Sequence, residues 1–237
     1  MSATLNAQLI DAVEDGREAD VERLLEAGAS PDARKTVTLK AKVEMPKGLF
    51  GGGGGLEWKD DSADCESALV LAILHARVGV VRVLLENGAS VDRVVERKIG
   101  YTSYFGEQKW KADEWKRMRW HWTTTFPSIL AAALGCGGQA KNDYYGSKSD
   151  TPDVNGQLNI SPRGGTVILN HPTKWDHACV AITLQPNVRI VRLLLAHGAR
   201  VTDVELEGAR TNPNQEFLNV LLSHQRNIIT RQSPGTT

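Results

Sequence analysis

Three stretches of this 237-residue sequence follow one pattern: VERLLEAGAS from Val21, VRVLLENGAS from Val81 and VRLLLAHGAR from Val191. They align without gaps at shifts of 60 and 110 residues. Val21, Val81 and Val191 then coincide, as do the leucine pairs at 24–25, 84–85 and 194–195 and the Gly-Ala pairs starting at 28, 88 and 198. Such repetition constrains the fold strongly, because a short unit that cannot bury its own apolar face must stack on its neighbours. In the second copy Val78, Val81, Leu84 and Leu85 recur at i, i+3, i+6 and i+7, which makes one apolar stripe on a short helix. The glycine after each stripe stands where a left-handed residue ends a helix. Upstream lies a second apolar segment: QLIDAV from Gln8, ALVLAI from Ala68 and ACVAIT from Ala178. Each unit reads as two short antiparallel helices, a glycine stop and an extended exit.

These units resemble ankyrin repeats, whose helical half reads G-x-x-x-V-V-x-x-L-L-L-x-x-G-A. GREADVERLLEAGASPDA from Gly16 is the nearest match in this chain. The resemblance implies an all-α repeat solenoid, a stack of helix pairs with elongated β-hairpin fingers and loop insertions. It also implies protein binding on a concave face made by fingers and first helices. The usual Thr-Pro-Leu-His opening is replaced by Glu66-Ser67-Ala68-Leu69 and Asp176-His177-Ala178-Cys179, and only Phe126-Pro127-Ser128-Ile129 keeps the proline. The spacing departs too, since the family repeats every 33 residues or so. Residues 1–229 then form one domain, with repeat cores at 5–33, 66–93, 126–136 and 176–203 and a cap at 214–226. Insertions fall at 34–64, 93–125 and 137–175, and 230–237 is a frayed tail. PSILAAALGCGG from Pro127 repeats the opening helix, but residues 137–165 are polar and glycine-rich. Either a third repeat is split by a long loop, or a lone helix precedes a fresh unit whose opening helix spans His177–Leu184. FLNVLLSHQ from Phe217 reads as the last helix, with Gln225 at its stop.

The insertions carry the aromatic residues. All six tryptophans (58, 110, 115, 120, 122 and 175) and all four tyrosines (101, 104, 144 and 145) lie outside the aligned helices. Val37, Leu39, Ala41 and Val43 alternate with Thr38, Lys40 and Lys42, the period of a strand. Met118, Trp120, Trp122 and Thr124 alternate with Arg117, Arg119, His121 and Thr123, and Val95, Ile99 and Tyr101 supply a pairing strand. QKWKADEWKRMRWHW from Gln108 is thus a turn or short helix running into a strand with one aromatic and one cationic face. Two uses compete for these aromatics: anchoring a long loop to the body, or forming a hot spot on a projecting finger. On the second, Trp110, Trp115, Trp120, Trp122, Tyr101 and Tyr104 anchor a protein or peptide partner. Lys109, Lys111, Arg117 and Arg119 then select an acidic or extended segment of it.

Charge narrows the alternatives. Lys+Arg and Asp+Glu both total 28, so the whole chain is not an electrostatic partner for nucleic acid. Residues 1–32 hold eight acids against two bases, whereas 93–125 hold eight bases against four acids. Nucleic-acid binding through the basic, tryptophan-rich insertion 93–125 is therefore the alternative to a protein-binding adaptor. GLFGGGGGLEW from Gly48 lacks the Gly-Lys-Ser/Thr of a phosphate-cradling loop. His171, His177, Cys179 and Cys136 match no zinc-ligand spacing, and no nucleophile–base arrangement stands out, so neither enzyme, cofactor nor metal is expected. No run approaches the roughly 20 apolar residues of a spanning helix, and a single short patch gives marginal membrane affinity. Three cysteines are too few for a disulfide framework. The expectation is an intracellular, cytoplasmic or nuclear protein.

Overall fold

The computed structural model describes residues 2–46, 54–100, 110–143, 145–152, 155–169 and 179–232. The repeated stripes fold as read. Helices α1 (Ser2–Asp15) and α2 (Glu18–Glu26) form the first pair, α3 (Ala68–Leu74) and α4 (Val78–Glu86) the second. After α5 (Ala112–Met118) come α6 (Ile129–Leu134), α7 (Val188–Ala196), α8 (Asp203–Thr211) and α9 (Glu216–Gln232). In α2, α4 and α7 the Val-x-x-Leu-Leu residues are all buried, joined by Val80, Val83 and Ile190. At the first stop Ala29 N–H donates to Leu24 O at 3.0 Å and Gly28 N–H to Leu25 O at 2.9 Å, the paired bonds of a Schellman motif. Gly28, Gly88 and Gly198 have φ of +93°, +86° and +93°. A Cβ added at any of them would meet nothing within 4 Å, so the backbone conformation selects glycine, not lack of room.

The helices form two layers: α1, α3 and α6 pack in succession, and α2, α4 and α7 beside them. Helix α6 packs on α7, so the third unit is one pair split by the long insertion. The expected opening helix at His177–Leu184 is corrected on this point: Val180–Thr183 is a strand, and 171–178 lie outside the described residues. Val180, Ile182 and Thr183 are β-branched and stiff at χ1, which suits a pleated surface better than a helix. The C-terminal end brings one unexpected helix and one correction. Helix α8 follows the third glycine stop, opened by a capping box in which Glu205 Oε2 accepts from Thr202 N–H at 2.8 Å. Helix α9 runs past Gln225 to Gln232, so Gln225 is not its stop, and 230–232, expected in a frayed tail, are helical.

Strands occupy the insertions. In the first sheet β1 (Arg34–Glu44) pairs antiparallel with β2 (Leu56–Ser67) over the whole finger. The second sheet runs β3 (Val95–Gly100), β5 (Trp120–Phe126), β6 (Gly138–Asn142), β7 (Lys148–Thr151), all antiparallel. On the free side of β1 lie β4 (Trp110–Lys111) and β9 (Gly165–Leu169), both parallel to it. Strand β8 (Gln157–Ile160) pairs with β10 (Val180–Thr183). Among the described residues the architecture is mixed α/β, 42% helical and 30% strand, which overturns the all-α, ankyrin-type solenoid. Helical stacking forms one half of the fold, and the insertions form a second, sheet-built half.

A large core runs through the helices and takes in Val95, Phe126, Leu158 and Ile160 from the strands. Where β6 leaves α6 the contact is close: a Cβ on Gly138 would lie 2.3 Å from the Thr151 carbonyl oxygen and 2.4 Å from Phe126 Cε1. Neither a ladder carbonyl nor a ring buried to 1% exposure can step aside. Gly138→Ala should therefore destabilise the fold by about 1–3 kcal/mol, read as a lower urea midpoint at unchanged slope. An unshifted midpoint would mean that β6 does not approach β7 and Phe126 this closely.

Candidate interaction surface

Strand alternation gives the first finger two unlike faces. Val37, Leu39, Ala41 and Val43 point inward and are wholly buried. With Leu169 and Cys65 they meet Trp110, Trp115, Met118 and Trp120 in a second core. Thr38, Lys40 and Lys42 point outward. The register places Trp58 opposite Lys42, with Ile168 on one side of Lys40 and Asp60 on the other. Trp58 is 49% exposed, Ile168 49% and Leu56 52%. Lys40 and Lys42 hold their Nζ atoms 5.4 and 5.3 Å from the Trp58 ring centroid, within cation–π range. A central row of cations on β1 thus runs between Trp58 and Leu56 on one side and Ile168 on the other. At its foot a groove of about 660 Å³ runs between Asn6, Ile10 and Asp11 of α1 and Thr36 and Asp64 of the finger.

The residues expected to bind a partner are scattered by the fold. Trp110, Trp115 and Trp120 are 1%, 6% and 8% exposed, and Trp110 meets Trp115 edge to face at 5.7 Å. Their expected role as partner anchors is corrected: they hold α5 and β4 against the inner face of the finger. Arg119 is spent internally, with Nε on Asp61 Oδ2 at 2.6 Å. The same carboxylate oxygen accepts from Trp120 Nε1 at 2.7 Å. Burial raises the Asp61 pKa, but these two hydrogen bonds outweigh it and hold the carboxyl below the usual aspartate value. Trp122 is half-buried on the covered face of the second sheet. Arg117 and Lys111 are exposed, and Lys111 pairs with Glu44 at the end of the outward face. Lys109, Tyr101, Tyr104, Trp175, His171 and His177 lie outside the described residues, as does most of the glycine run at 51–55. The strand expected from Arg117 starts at Trp120, because Arg117 and Met118 belong to α5.

A buried ionic cluster fixes the finger to the helices. Glu66, at the end of β2, accepts from Arg97 Nη1 and Ser161 N–H, each at 3.0 Å, through Oε1. Its Oε2 accepts from Ser161 Oγ and lies 3.6 Å from Lys35 Nζ. Lys35 Nζ donates in turn to Glu14 Oε1 of α1 at 2.7 Å and to Ser161 O at 3.0 Å. Burial raises the Glu66 pKa, yet the Arg97 and Lys35 charges and the Ser161 bonds outweigh it, so it stays below the usual glutamate value. The cluster joins α1, β1, β2, β3 and the segment after β8. Nothing in the sequence marks these residues as one cluster, although continuing the β1 alternation backward puts Lys35 on the inward face, and the β3 alternation does the same for Arg97.

No protein-family model matches the chain, and no curated protein matches it in sequence. The surface has to be read on its own chemistry. Burial pushes the Cys65, Cys136 and Cys179 thiols up to about 11, 12 and 11, so none is a thiolate nucleophile at neutral pH. Among the described residues no group of three or more His, Cys, Asp or Glu could hold a metal ion, and no helix is long and apolar enough to cross a membrane.

Proposed function

We propose that the chain is a non-enzymatic interaction module that takes an extended, apolar and acidic segment of a partner protein on the outward face of its first finger. The observation that carries this reading is Trp58, half-exposed under the ammonium groups of Lys40 and Lys42, with Leu56 beside it on its own strand and Ile168 exposed across β1. A pleated outer face presents every second side chain to a ligand. An extended peptide can therefore set apolar side chains against Trp58 and Ile168 and carboxylates against Lys40, Lys42 and Lys111. The groove beneath lets the segment continue toward α1. The three free cysteines fit an intracellular, reducing setting. Against nucleic-acid binding through 93–125 stands the engagement of two of its eight bases, Arg97 buried on Glu66 and Arg119 held by Asp61.

The test is selection of peptides from a random display library by the full chain. Acidic-apolar sequences should emerge, and Trp58→Ala should weaken them by about 30-fold or more, the scale of a hot-spot residue. Lys40→Ala with Lys42→Ala should flatten the salt dependence. Selection of basic peptides, or affinity indifferent to Trp58, would refute the reading. Submicromolar oligonucleotide binding with a steep salt slope would favour the nucleic-acid alternative instead.

A further inference from the structure

Strand β9 is an open edge of the first sheet. Among the described residues it pairs with β1 alone, so the backbone groups on its far side have no ladder partner there. Such groups are a template for another extended chain, and folds keep chains off an edge with charge. Strand β2, the edge on the other side of this sheet, carries Glu57, Lys59, Asp60 and Asp64. At the edges of the second sheet β3 carries Glu96 and Lys98, and β7 carries Lys148 and Asp150. Strand β9, Gly165-Thr166-Val167-Ile168-Leu169, carries no charge. Gly165, Thr166 and Ile168 are exposed, and the three central residues are β-branched, the side chains that suit a pleated neighbour.

The edge connects two features already described. Strand β9 runs parallel to β1, with Gly165 beside Val37 toward the foot of the finger and Leu169 beside Ala41 farther out. Lys42, with Trp58 opposite it, stands one residue beyond the Leu169 end. At the other end lies the groove along α1, whose wall includes Gly164 and Gly165. A Cβ on Gly164 would meet nothing within 4 Å. Packing inside the chain therefore does not call for glycine at this position. The missing side chain leaves clearance for a second backbone at the mouth of the groove.

We propose that the partner segment taken by the outward face of the first finger is held, past Lys42, as an added strand along the free edge of β9. The inference rests on the reading of that face as a peptide surface and specifies the rest of the peptide. Next to the acidic, apolar part that meets Trp58 comes an uncharged, β-branched stretch of about five residues, the length of β9. Strands stand about 4.8 Å apart and rise about 3.3 Å per residue. The segment then needs about 14 Å to cross from Trp58 to the open edge and about 17 Å to run along it, roughly nine residues in all. Ladder hydrogen bonds to residues 165–169 hold it whatever its side chains are. Val, Ile or Thr side chains set beside Thr166 and Ile168 select the sequence. Its far end enters the groove past Gly164.

The experiment uses display-selected peptides of about twelve residues, long enough for both parts, synthesised and titrated into the full chain. Their sequences should carry the uncharged β-branched stretch beside the acidic part. N-methyl groups placed on one backbone nitrogen at a time along that stretch should weaken binding about tenfold or more at every second residue. At the residues between, the change should stay within about twofold, the alternation of a strand bonded along one edge. Amide hydrogen exchange of the full chain, read by mass spectrometry, should slow in 165–169 when the peptide is bound. Gly164→Leu should weaken binding about tenfold or more at unchanged thermal stability. A peptide that depends on Trp58 yet tolerates every N-methyl group, with exchange at 165–169 unchanged, overturns the added strand and leaves the outward face standing. Alternating losses without dependence on Trp58 overturn the outward face and leave the edge as the site. Saturable binding by no selected peptide overturns both.

Discussion

Glu66→Gln should lower the free energy of unfolding by about 3–5 kcal/mol, the scale on which a buried ion pair fails when one member is removed. The carboxylate has no exposure, Arg97 has none and Lys35 has 1%. Two cations and two carboxylates, Glu14 and Glu66, balance inside the fold. Glutamine leaves one uncompensated cation there, and its NH₂ group has to face the Arg97 and Ser161 donors. Equilibrium urea unfolding measures the loss. Arg97→Met should cost a similar amount, and the double variant Glu66→Leu with Arg97→Met should cost clearly less than the two single changes summed, because no lone charge remains buried. The pH dependence carries a definite sign. Glu66 has a lowered folded pKa, so its contribution is complete above the ordinary glutamate range and is lost as pH falls through the folded value. The gap between wild type and Glu66→Gln should therefore narrow below about pH 4. A gap of under about 1 kcal/mol at pH 7 would show that the cluster is hydrated rather than buried.

Trp110→Ala should cost about 3–5 kcal/mol, the usual loss for a buried tryptophan or phenylalanine in a packed core. Its ring is 1% exposed and stands between the inner face of β1 and Trp115. Trp58→Ala, half-exposed on the opposite face of the same sheet, should stay within about 0.5 kcal/mol. The pair separates scaffold from surface by measurement: stability follows Trp110, and peptide affinity follows Trp58. If Trp110→Ala leaves the unfolding midpoint in place, the second core is not formed as described.

What the sequence makes legible is what repeats. The Val-x-x-Leu-Leu helices, the glycine stops and the Val37–Val43 strand each carry a period, and each is found where the period puts it. The tryptophans are conspicuous as a set, but the side of the sheet that receives them depends on which element covers it. That is a tertiary fact: α5 and β4 fold back onto the inner face of β1, so three tryptophans expected to face a partner face Leu39 and Val43 instead. Strands β6 to β8 are hidden for a related reason. GQAKN and KSDT lack an apolar alternation because their inward places hold Gly138, Ala140, Ser149 and Thr151 rather than branched aliphatic residues. Two signals were readable. Thr202 with Glu205 is a capping box that announces α8, and the inward places of Lys35 and Arg97 mark the buried ions. The outward surface shows in the sequence only as Lys40 and Lys42 alternating with apolar neighbours, with Trp58 beyond the glycines.

Strand β9 changes how the molecule comes apart. In a simple row of repeats each unit touches only the next, so the ends can peel away while the middle stands. Here residues 165–169 lie along residues 37–41, and Ser161 is bonded to Lys35 and Glu66, so late chain is sewn to the first unit. The opening rung cannot loosen without tearing a sheet one of whose strands comes from the third unit's insertion. Melting is then shared by the whole body rather than travelling inward from its edges.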